Sequence, residues 1–157
     1  MGYKDHYDAK ILGELQKDSS LSVEALAERI GMPRNTCWRR LKQLEASGII
    51  KARVAVLDAE LAGCGLSVLI FIRTANHDTD WFEQLRKTVM PMPEVVGFYR
   101  TSGEIDYVLR ARVADVKAYD RLYQKLIKKV PLADVSASFI MEEVKDETAI
   151  PLDGLSA

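Results

Sequence analysis

The segment of residues 33–45, Pro-Arg-Asn-Thr-Cys-Trp-Arg-Arg-Leu-Lys-Gln-Leu-Glu, constrains the fold more than any other stretch of this chain. At a helical spacing of about 100° per residue, Cys37, Leu41 and Leu44 share one side. The opposite side is polar, and residues 34–43 contain four cations and no acid. A helix with a narrow apolar edge and outward Arg, Asn and Gln suits the DNA major groove, where these side chains pair with guanine or adenine. For the helix alone, a solvated basic face on an ordinary surface helix explains the pattern equally well.

The residues before this helix predict a helix-turn-helix. Ser22 is a suitable N-cap for a helix over residues 23–30. Gly31 can then supply a left-handed stop, and Pro33 permits a new helix to begin. Residues 5–17 form a further amphipathic pattern, so three helices would share a small core. This arrangement projects the basic helix from a compact domain and favours its interpretation as a recognition helix.

Seven residues of the recognition helix are candidates for contact with double-stranded DNA. Base edges carry the sequence information and phosphates fix the register of the protein. We assign base contacts to Asn35, Thr36 and Arg39, and we assign Arg34 and Lys42 to phosphates. The complete predicted set is Arg34, Asn35, Thr36, Trp38, Arg39, Arg40 and Lys42.

Two members of this set leave alternatives open. Arg40 lies on a flank of the helix, where it either contacts DNA or pairs with an acid such as Glu28 or Glu45. Trp38 is unusual at an outward position. It either stacks against a DNA sugar or a thymine methyl group, or packs on the first helix, which is the interpretation we favour.

The charge distribution divides the chain in the same way. Residues 1–57 hold ten Lys and Arg against seven Asp and Glu, whereas residues 58–157 hold twelve against sixteen. A basic small domain followed by an acidic larger one indicates that only the first meets phosphate. Because the excess is modest, one copy should bind weakly and in a salt-sensitive manner, so we expect the module to work in pairs.

Other features of the sequence exclude several classes of protein. No segment approaches the roughly 18–20 unbroken apolar residues of a membrane helix, and the N-terminus lacks the apolar core of a signal peptide. Cys37 and Cys64 are far apart, and Cys37 is most simply a small core residue rather than a redox or metal group. No nucleophile–base pair, metal-spaced cluster or Gly-rich phosphate loop indicates an enzyme. We therefore expect a cytoplasmic, nucleoid-associated protein without a metal or cofactor.

The second half of the chain predicts the order βαββαβ, the ferredoxin-like arrangement. The fold class is therefore α+β, with a three-helix winged-type helix-turn-helix followed by this domain. Two helices can cover only one face of a four-stranded sheet, yet the first strand is apolar on both faces, so a second copy of the chain is the simplest partner. The expected strands span residues 66–74, 94–101, 105–113 and 135–144, and the expected helices span residues 80–90 and 116–130.

These patterns divide the chain into four parts. The helix-turn-helix domain takes residues 1–48, and a strand-like linker takes residues 49–64. The βαββαβ domain, expected to bind an effector and to oligomerise, takes residues 65–152. Residues 153–157 are a tail.

The joint order and spacing of the motifs resemble one family. The first domain contributes Asp8-Ala-Lys-Ile-Leu, Leu26-Ala-Glu-Arg-Ile-Gly31 and Cys37-Trp-Arg-Arg-Leu-Lys-Gln-Leu-Glu45. The second contributes Gly103-Glu-Ile-Asp-Tyr107 and Lys145-Asp-Glu-Thr-Ala-Ile-Pro-Leu152. Together they resemble the Lrp/AsnC family of leucine-responsive, or feast/famine, transcriptional regulators, over nearly the whole chain. The resemblance implies dimers that assemble into octamers, and an amino-acid effector bound where dimers meet.

The resemblance also implies where the effector binds. Backbone N–H groups at Gly103 can approach a carboxylate closely, and Asp106 can accept hydrogen bonds from an α-ammonium group. The alternative is that Gly103 only makes a hairpin turn and Asp106 pairs with Arg110 or Arg112. The implied effector-binding residues are Tyr99, Thr101, Ser102, Gly103, Glu104, Asp106, Ser136 and Ser138.

The function expected from the sequence is a sequence-specific DNA-binding transcriptional regulator that responds to an amino acid or related small metabolite. An effector-independent DNA-architectural protein of the same fold is the alternative, and it would bind DNA without ligand dependence. An enzyme or carrier built on the ferredoxin-like domain is a third hypothesis, which we set aside for want of a catalytic constellation.

Overall fold

The computed structural model describes residues 6–74 and 79–155, which belong to two compact units. The helix unit contains residues 6–55 and 145–155, and the sheet unit is Val56–Val144. Within the described residues, no helix combines the length and apolar character needed to cross a membrane. The helices are α1 (His6–Lys17), α2 (Val23–Ile30), α3 (Arg34–Ala46), α4 (Thr79–Val89) and α5 (Val116–Ile127), and the strands are β1 (Leu66–Arg73), β2 (Val95–Arg100), β3 (Tyr107–Val113) and β4 (Asp134–Phe139).

The helix-turn-helix forms as the local signals predict. The Ser22 hydroxyl accepts a hydrogen bond from the Ala25 N–H at 3.1 Å and caps α2. Gly31, at φ 67°, ends α2 in the left-handed conformation that glycine adopts without strain. The start predicted for α1 at residue 5 lies outside the described residues. The shared core of the three helices consists of Ile11, Leu12, Leu26, Ala27, Ile30, Cys37, Leu41 and Leu44.

The strand-like linker predicted over residues 49–64 contains no strand in the single chain. Residues 51–58 have no regular secondary structure, and residues 59–63 form turns. Val54 and Val56 expose 72% and 78% of their surface. An extended segment becomes a strand only when a neighbouring strand accepts and donates its backbone hydrogen bonds, and the described residues provide none here.

The C-terminal segment packs on the helix unit, although the sequence had assigned residues up to 152 to the sheet domain. The Gln16 side chain donates to the Ile150 carbonyl at 3.1 Å and accepts from the Ile150 N–H at 2.8 Å. Leu152 and Leu155 pack against the core of the three helices, Leu155 from a short 3₁₀ helix, Asp153–Leu155. The described part of the segment therefore belongs to the DNA-binding half of the molecule.

The sheet unit has the predicted ferredoxin-like order. Its strands are arranged β2-β3-β1-β4, and every neighbouring pair is antiparallel. Asp115 caps α5 by accepting from the Ala118 N–H at 2.7 Å. Three boundaries differ from the prediction by more than one residue: β3 begins at Tyr107 because residues 101–106 form the hairpin turn, α5 ends at Ile127, and β4 ends at Phe139.

Both helices of this unit pack on one face of the sheet. Val68, Ile70 and Ile72 of β1 are each 1% exposed or less and share a core with Leu85 of α4 and Leu122 of α5. The helical spacing of apolar residues places Val116 and Ile127 on the same face of α5 as Leu122, but the two residues are 59% and 38% exposed, so this expectation is wrong.

The opposite face of the sheet is only partly covered. Leu69 and Phe71 of β1 and Val108 of β3 are half-buried on it, and Tyr99 of β2 is 51% exposed. The strand register aligns Tyr99, Val108, Phe71 and Ser136 in one row across all four strands. This surface, which we call the open face, is the apolar face for which the sequence predicted a partner.

Candidate DNA-binding and effector sites

The recognition helix α3 has the predicted division into a buried edge and a cationic face. Cys37, Leu41 and Leu44 are each no more than 5% exposed and attach the helix to the core. Burial raises the pKa of the Cys37 thiol, which keeps it protonated and in the role of a core residue. Thr36 is half-buried, and the exposed residues of the helix include Arg34, Asn35, Trp38, Arg39, Lys42 and Gln43.

The N-terminal end of α3 suits an anion. The first N–H groups of any α-helix lack acceptors within the helix. At the cap position Pro33 makes no side-chain hydrogen bond to them, and the first turn contains no acid. The positive end of the helix dipole therefore coincides with the side chain of Arg34, a combination that favours a phosphate group.

Two cations of this helix are held by exposed acids. Arg34 pairs with Glu24 of α2, and the pKa of that carboxyl lies below its usual range because its own backbone N–H and then Arg34 donate to it. Lys42 lies 2.8 Å from Glu45. Such exposed pairs are weak, so a DNA phosphate can replace the acid at little cost.

Arg40 is directed toward α1. Its Nη1 donates to Oδ1 of Asp8 at 2.9 Å, and its Cζ lies 5.7 Å from the centre of the Tyr7 ring. The interpretation that Arg40 pairs with an acid is thus correct in kind, although the partner is Asp8 and not Glu28 or Glu45 as suggested. Sequence patterns did not indicate Asp8 as the partner of Arg40, since the contact joins positions 32 residues apart.

Trp38 is half-exposed. Of its surface, 53% is open to solvent. Packing on the first helix and stacking against DNA therefore both stay predictions for this side chain.

The predicted effector turn is formed by residues 101–106 between β2 and β3. The Thr101 N–H donates to the Asp106 carbonyl at 2.9 Å, and the Thr101 hydroxyl donates to the Ile105 carbonyl. Gly103 has φ 114°, a conformation in which any other residue would be strained. Ser102, Gly103 and Glu104 are exposed at the tip.

Asp106 connects this turn to the end of β1. Its Oδ2 accepts from the Thr74 N–H at 2.8 Å, and its own N–H donates to the Ile72 carbonyl at 3.1 Å. Arg112, one of the two arginines considered as its partner, forms an ion pair with Glu143 at 2.6 Å. The Asp106 carboxylate therefore has a structural task, fixing the base of the turn, whatever else it binds.

The remaining predicted effector residues are spread across the open face. Tyr99 and Ser136 share one row, but they belong to β2 and β4, the two edges of the sheet. At about 4.8 Å between adjacent strands, those edges are about 14 Å apart. Ser138 is on the same edge as Ser136. Within one chain, the predicted residues of the hairpin turn therefore lie together, whereas Ser136 and Ser138 lie on the far edge of the sheet from β2.

Gly97 is a site residue that the sequence did not reveal. A Cβ atom added at Gly97 would lie only 2.6 Å from the Tyr99 hydroxyl, so the Tyr99 ring lies directly over this glycine. Any side chain at residue 97 would displace Tyr99 from its position on the open face. A Gly-x-Tyr sequence in an edge strand was the available signal.

A helix-turn-helix with an exposed cationic recognition helix, joined to a separate domain with a hairpin turn and an open sheet face, defines a ligand-responsive DNA-binding regulator. Two family models match the corresponding parts of the chain. Residues 4–51 match a winged helix-turn-helix DNA-binding model, and residues 67–150 match the Lrp/AsnC ligand binding domain. The chain belongs to the Lrp/AsnC family.

Relatives of known role are similar over almost their full length. The glutamate uptake regulatory protein of Zymomonas mobilis is 47% identical over 148 residues, which cover 94% of this chain and 90% of the relative. The DNA-binding transcriptional activator DecR of Escherichia coli is 45% identical over 150 residues, which cover 95% and 99%.

Solved structures agree with the architecture. An AsnC family transcriptional regulator from Agrobacterium tumefaciens is 44% identical and superposes with a TM-score of 0.92, covering 96% of this chain and 98% of its own. A transcriptional regulator from Neisseria meningitidis, solved in complex with L-Met, is 34% identical with a TM-score of 0.91 and the same coverage.

Proposed function

We propose that this protein is a sequence-specific transcriptional regulator whose binding to DNA responds to an amino acid or a related small metabolite. The proposal rests mainly on the structure of α3. This helix combines a buried apolar edge with an uncapped, acid-free N-terminal turn and exposed Asn35 and Arg39. A helix that is packed along one edge and cationic on the opposite face is suited to binding in the DNA major groove.

The contacts with DNA follow from the exposure of each side chain. Asn35, Thr36 and Arg39 are the proposed base readers, because Asn and Arg form two-point hydrogen bonds with adenine and guanine. Arg34 and Lys42 exchange their exposed acids for phosphates. Trp38, with half of its surface exposed, stacks against a DNA sugar or a thymine methyl group.

The functional unit in this proposal is at least a homodimer. A second copy would cover Leu69, Phe71 and Val108 on the open face and remove them from water. Two copies also present two recognition helices, which allows them to read half-sites one or more helical turns apart. We extend the proposal to octamers, which the family resemblance implies, and to action at the nucleoid.

The effector would bind at the hairpin turn. Its carboxylate would accept from backbone N–H groups near Gly103, and its ammonium group would approach Asp106. The regulator from Neisseria meningitidis in complex with L-Met supports an amino acid as the ligand class. Because Ser136 and Ser138 lie on the far edge of the sheet, they would take part only from a second copy of the chain.

The test is a thermal-shift screen of the full-length protein against each proteinogenic amino acid. Any hit is then added to a gel shift on a duplex that the protein has selected from a random library. An amino acid that both stabilises the protein and alters the shifted bands supports the proposal. Selection of a duplex without any such amino acid would favour the effector-independent architectural protein, and selection of no duplex would remove the DNA-binding function.

A further inference from the structure

We infer that Arg40 is a positioning residue, which fixes the recognition helix to α1 through Asp8 and does not contact DNA. The inference rests on the proposed DNA-binding function, and it concerns how α3 is held in the orientation that DNA requires. It removes one of the seven predicted contact residues and gives Asp8 a role in recognition.

The geometry separates Arg40 from its neighbour Arg39. Consecutive residues of a helix project about 100° apart, so the two guanidinium groups leave α3 in different directions. Arg39 is exposed. The Arg40 side chain is only 24% exposed, and its Nη1 lies 2.9 Å from Oδ1 of Asp8, a side chain that is 11% exposed.

Burial makes this pair different from the other cations of α3. The Arg34 and Glu24 side chains are 62% and 57% exposed, so water solvates either charge when the pair opens. The Asp8 side chain is only 11% exposed, so loss of the Arg40 contact would take a charge partner away from a carboxylate that has little access to water. A DNA phosphate can therefore recruit Arg34 more readily than Arg40.

Two further features hold the Arg40 side chain against α1. Its Cζ lies 5.7 Å from the centre of the Tyr7 ring, within the range of a cation–π contact. Asp8 belongs to the first turn of α1, where the helix dipole stabilises an anion. Tyr7 and Asp8 of α1 therefore both contact the Arg40 side chain of α3 in the absence of DNA.

For recognition of DNA, the contact between Arg40 and Asp8 matters because it restrains the rotation of α3 about its own axis. The apolar edge of α3 fixes its distance from the core, whereas a polar contact at a flank fixes its rotation about its own axis. That rotation decides whether Asn35 and Arg39 meet base edges. Loss of the contact should therefore reduce binding to a specific duplex more than binding to unrelated DNA.

Asp8→Asn separates the two roles by the sign of its effect. If Arg40 contacts phosphate, removal of a competing acid and of a negative charge should tighten binding to DNA. If Arg40 positions α3, the same substitution should weaken binding to the selected duplex by about tenfold and leave binding to random DNA nearly unchanged. Fluorescence anisotropy of the full-length protein with both duplexes measures this ratio. Tighter binding to both duplexes would overturn the inference.

The dependence of affinity on salt provides a second readout with a matched control. In a plot of log K against log salt concentration, each phosphate contact contributes about −0.9 to the slope. Arg40→Met should leave the slope of wild type unchanged. Lys42→Met, on the exposed face of the same helix, should make the slope shallower by about 0.9. A reduced slope for Arg40→Met would place Arg40 on a phosphate and contradict the inference.

A double-mutant cycle tests the pair independently of DNA. Asp8→Asn combined with Arg40→Met should lower the thermal unfolding midpoint by less than the sum of the two single losses, because either single variant already breaks the contact. Additive losses would show that the two side chains are not coupled. If wild type selects no sequence, the proposed function fails, while the unfolding measurement still decides whether Asp8 and Arg40 act together.

Discussion

The C-terminal segment should contribute to the free energy of unfolding of the DNA-binding half of the molecule. Gln16→Ala removes both hydrogen bonds to the backbone of Ile150, at 2.8 and 3.1 Å. Because these bonds are exposed, we expect the pair to be worth about 1 kcal/mol. Leu152→Ala should cost about 1 kcal/mol as well, since that side chain is only partly buried against the helix core.

The two substitutions should not be additive. Both act on the same docked segment, so once it has detached from α1 the second substitution has nothing further to remove. The double variant should therefore lose less than the sum of the single losses, and removal of residues 145–157 should set the upper limit.

Hydrogen exchange resolved by peptide is the appropriate assay. A loss of about 1 kcal/mol should speed exchange in α1 about fivefold and leave β1 and β3 unchanged. Gln84→Ala is the matched control, since Gln84 also donates to a main-chain carbonyl, that of Lys129 at 2.6 Å, but in the sheet unit. If the truncated chain shows unchanged exchange in α1, the C-terminal segment does not stabilise the helix unit.

Five further predictions concern the proposed sites. Arg39→Ala should cost about 1–3 kcal/mol in binding to the selected duplex and relax preference at one base position, measured by anisotropy on duplexes with single base changes. Glu24→Gln should tighten DNA binding, because it releases Arg34 for phosphate. Since its own backbone N–H and then Arg34 lower the pKa of the Glu24 carboxyl, these contacts stabilise the fold above pH 4.5 and that stabilisation is lost as the pH falls below this value, measurable by thermal unfolding against pH. Gly103→Val should destabilise the sheet unit by about 1–2 kcal/mol through strain at positive φ. Asp106→Ala should abolish the amino-acid response in the gel shift while DNA binding persists.

Three of these expectations have a direct contradicting result. Full sequence preference in Arg39→Ala would remove that residue from the base contacts. Weaker DNA binding by Glu24→Gln would mean that the pair with Glu24 orients Arg34 and does not compete with phosphate. An unchanged amino-acid response in Asp106→Ala would place the effector away from the hairpin turn.

The helix-turn-helix was predictable because its signals are local. A capping hydroxyl at Ser22, a left-handed stop at Gly31 and apolar residues at helical spacing each act within one turn of the chain. The order of the sheet unit was predictable for a similar reason, since the turn at Gly103 and the cap at Asp115 mark where its elements end.

Several features that the sequence did not predict depend on distant partners. Arg40 finds Asp8 on another helix, and Ile150 pairs with Gln16 across 134 positions of the chain. Residues 49–57 carry a strand-like pattern but have no neighbouring strand within the chain. Ser136 lies on the opposite edge from Tyr99 because the sheet order β2-β3-β1-β4 separates them. A periodic pattern reports which face is apolar, but it does not report what lies against that face.

The claim that α3 reads DNA as one of a pair is tested most directly by selecting duplexes from a random library with the full-length protein, and again with Arg39→Ala. We expect wild type to enrich two inverted half-sites separated by one or more helical turns of about 10 bp, and Arg39→Ala to lose one defined base position in each half-site. Enrichment of no sequence by wild type, or of the same sequence by both proteins, would contradict it.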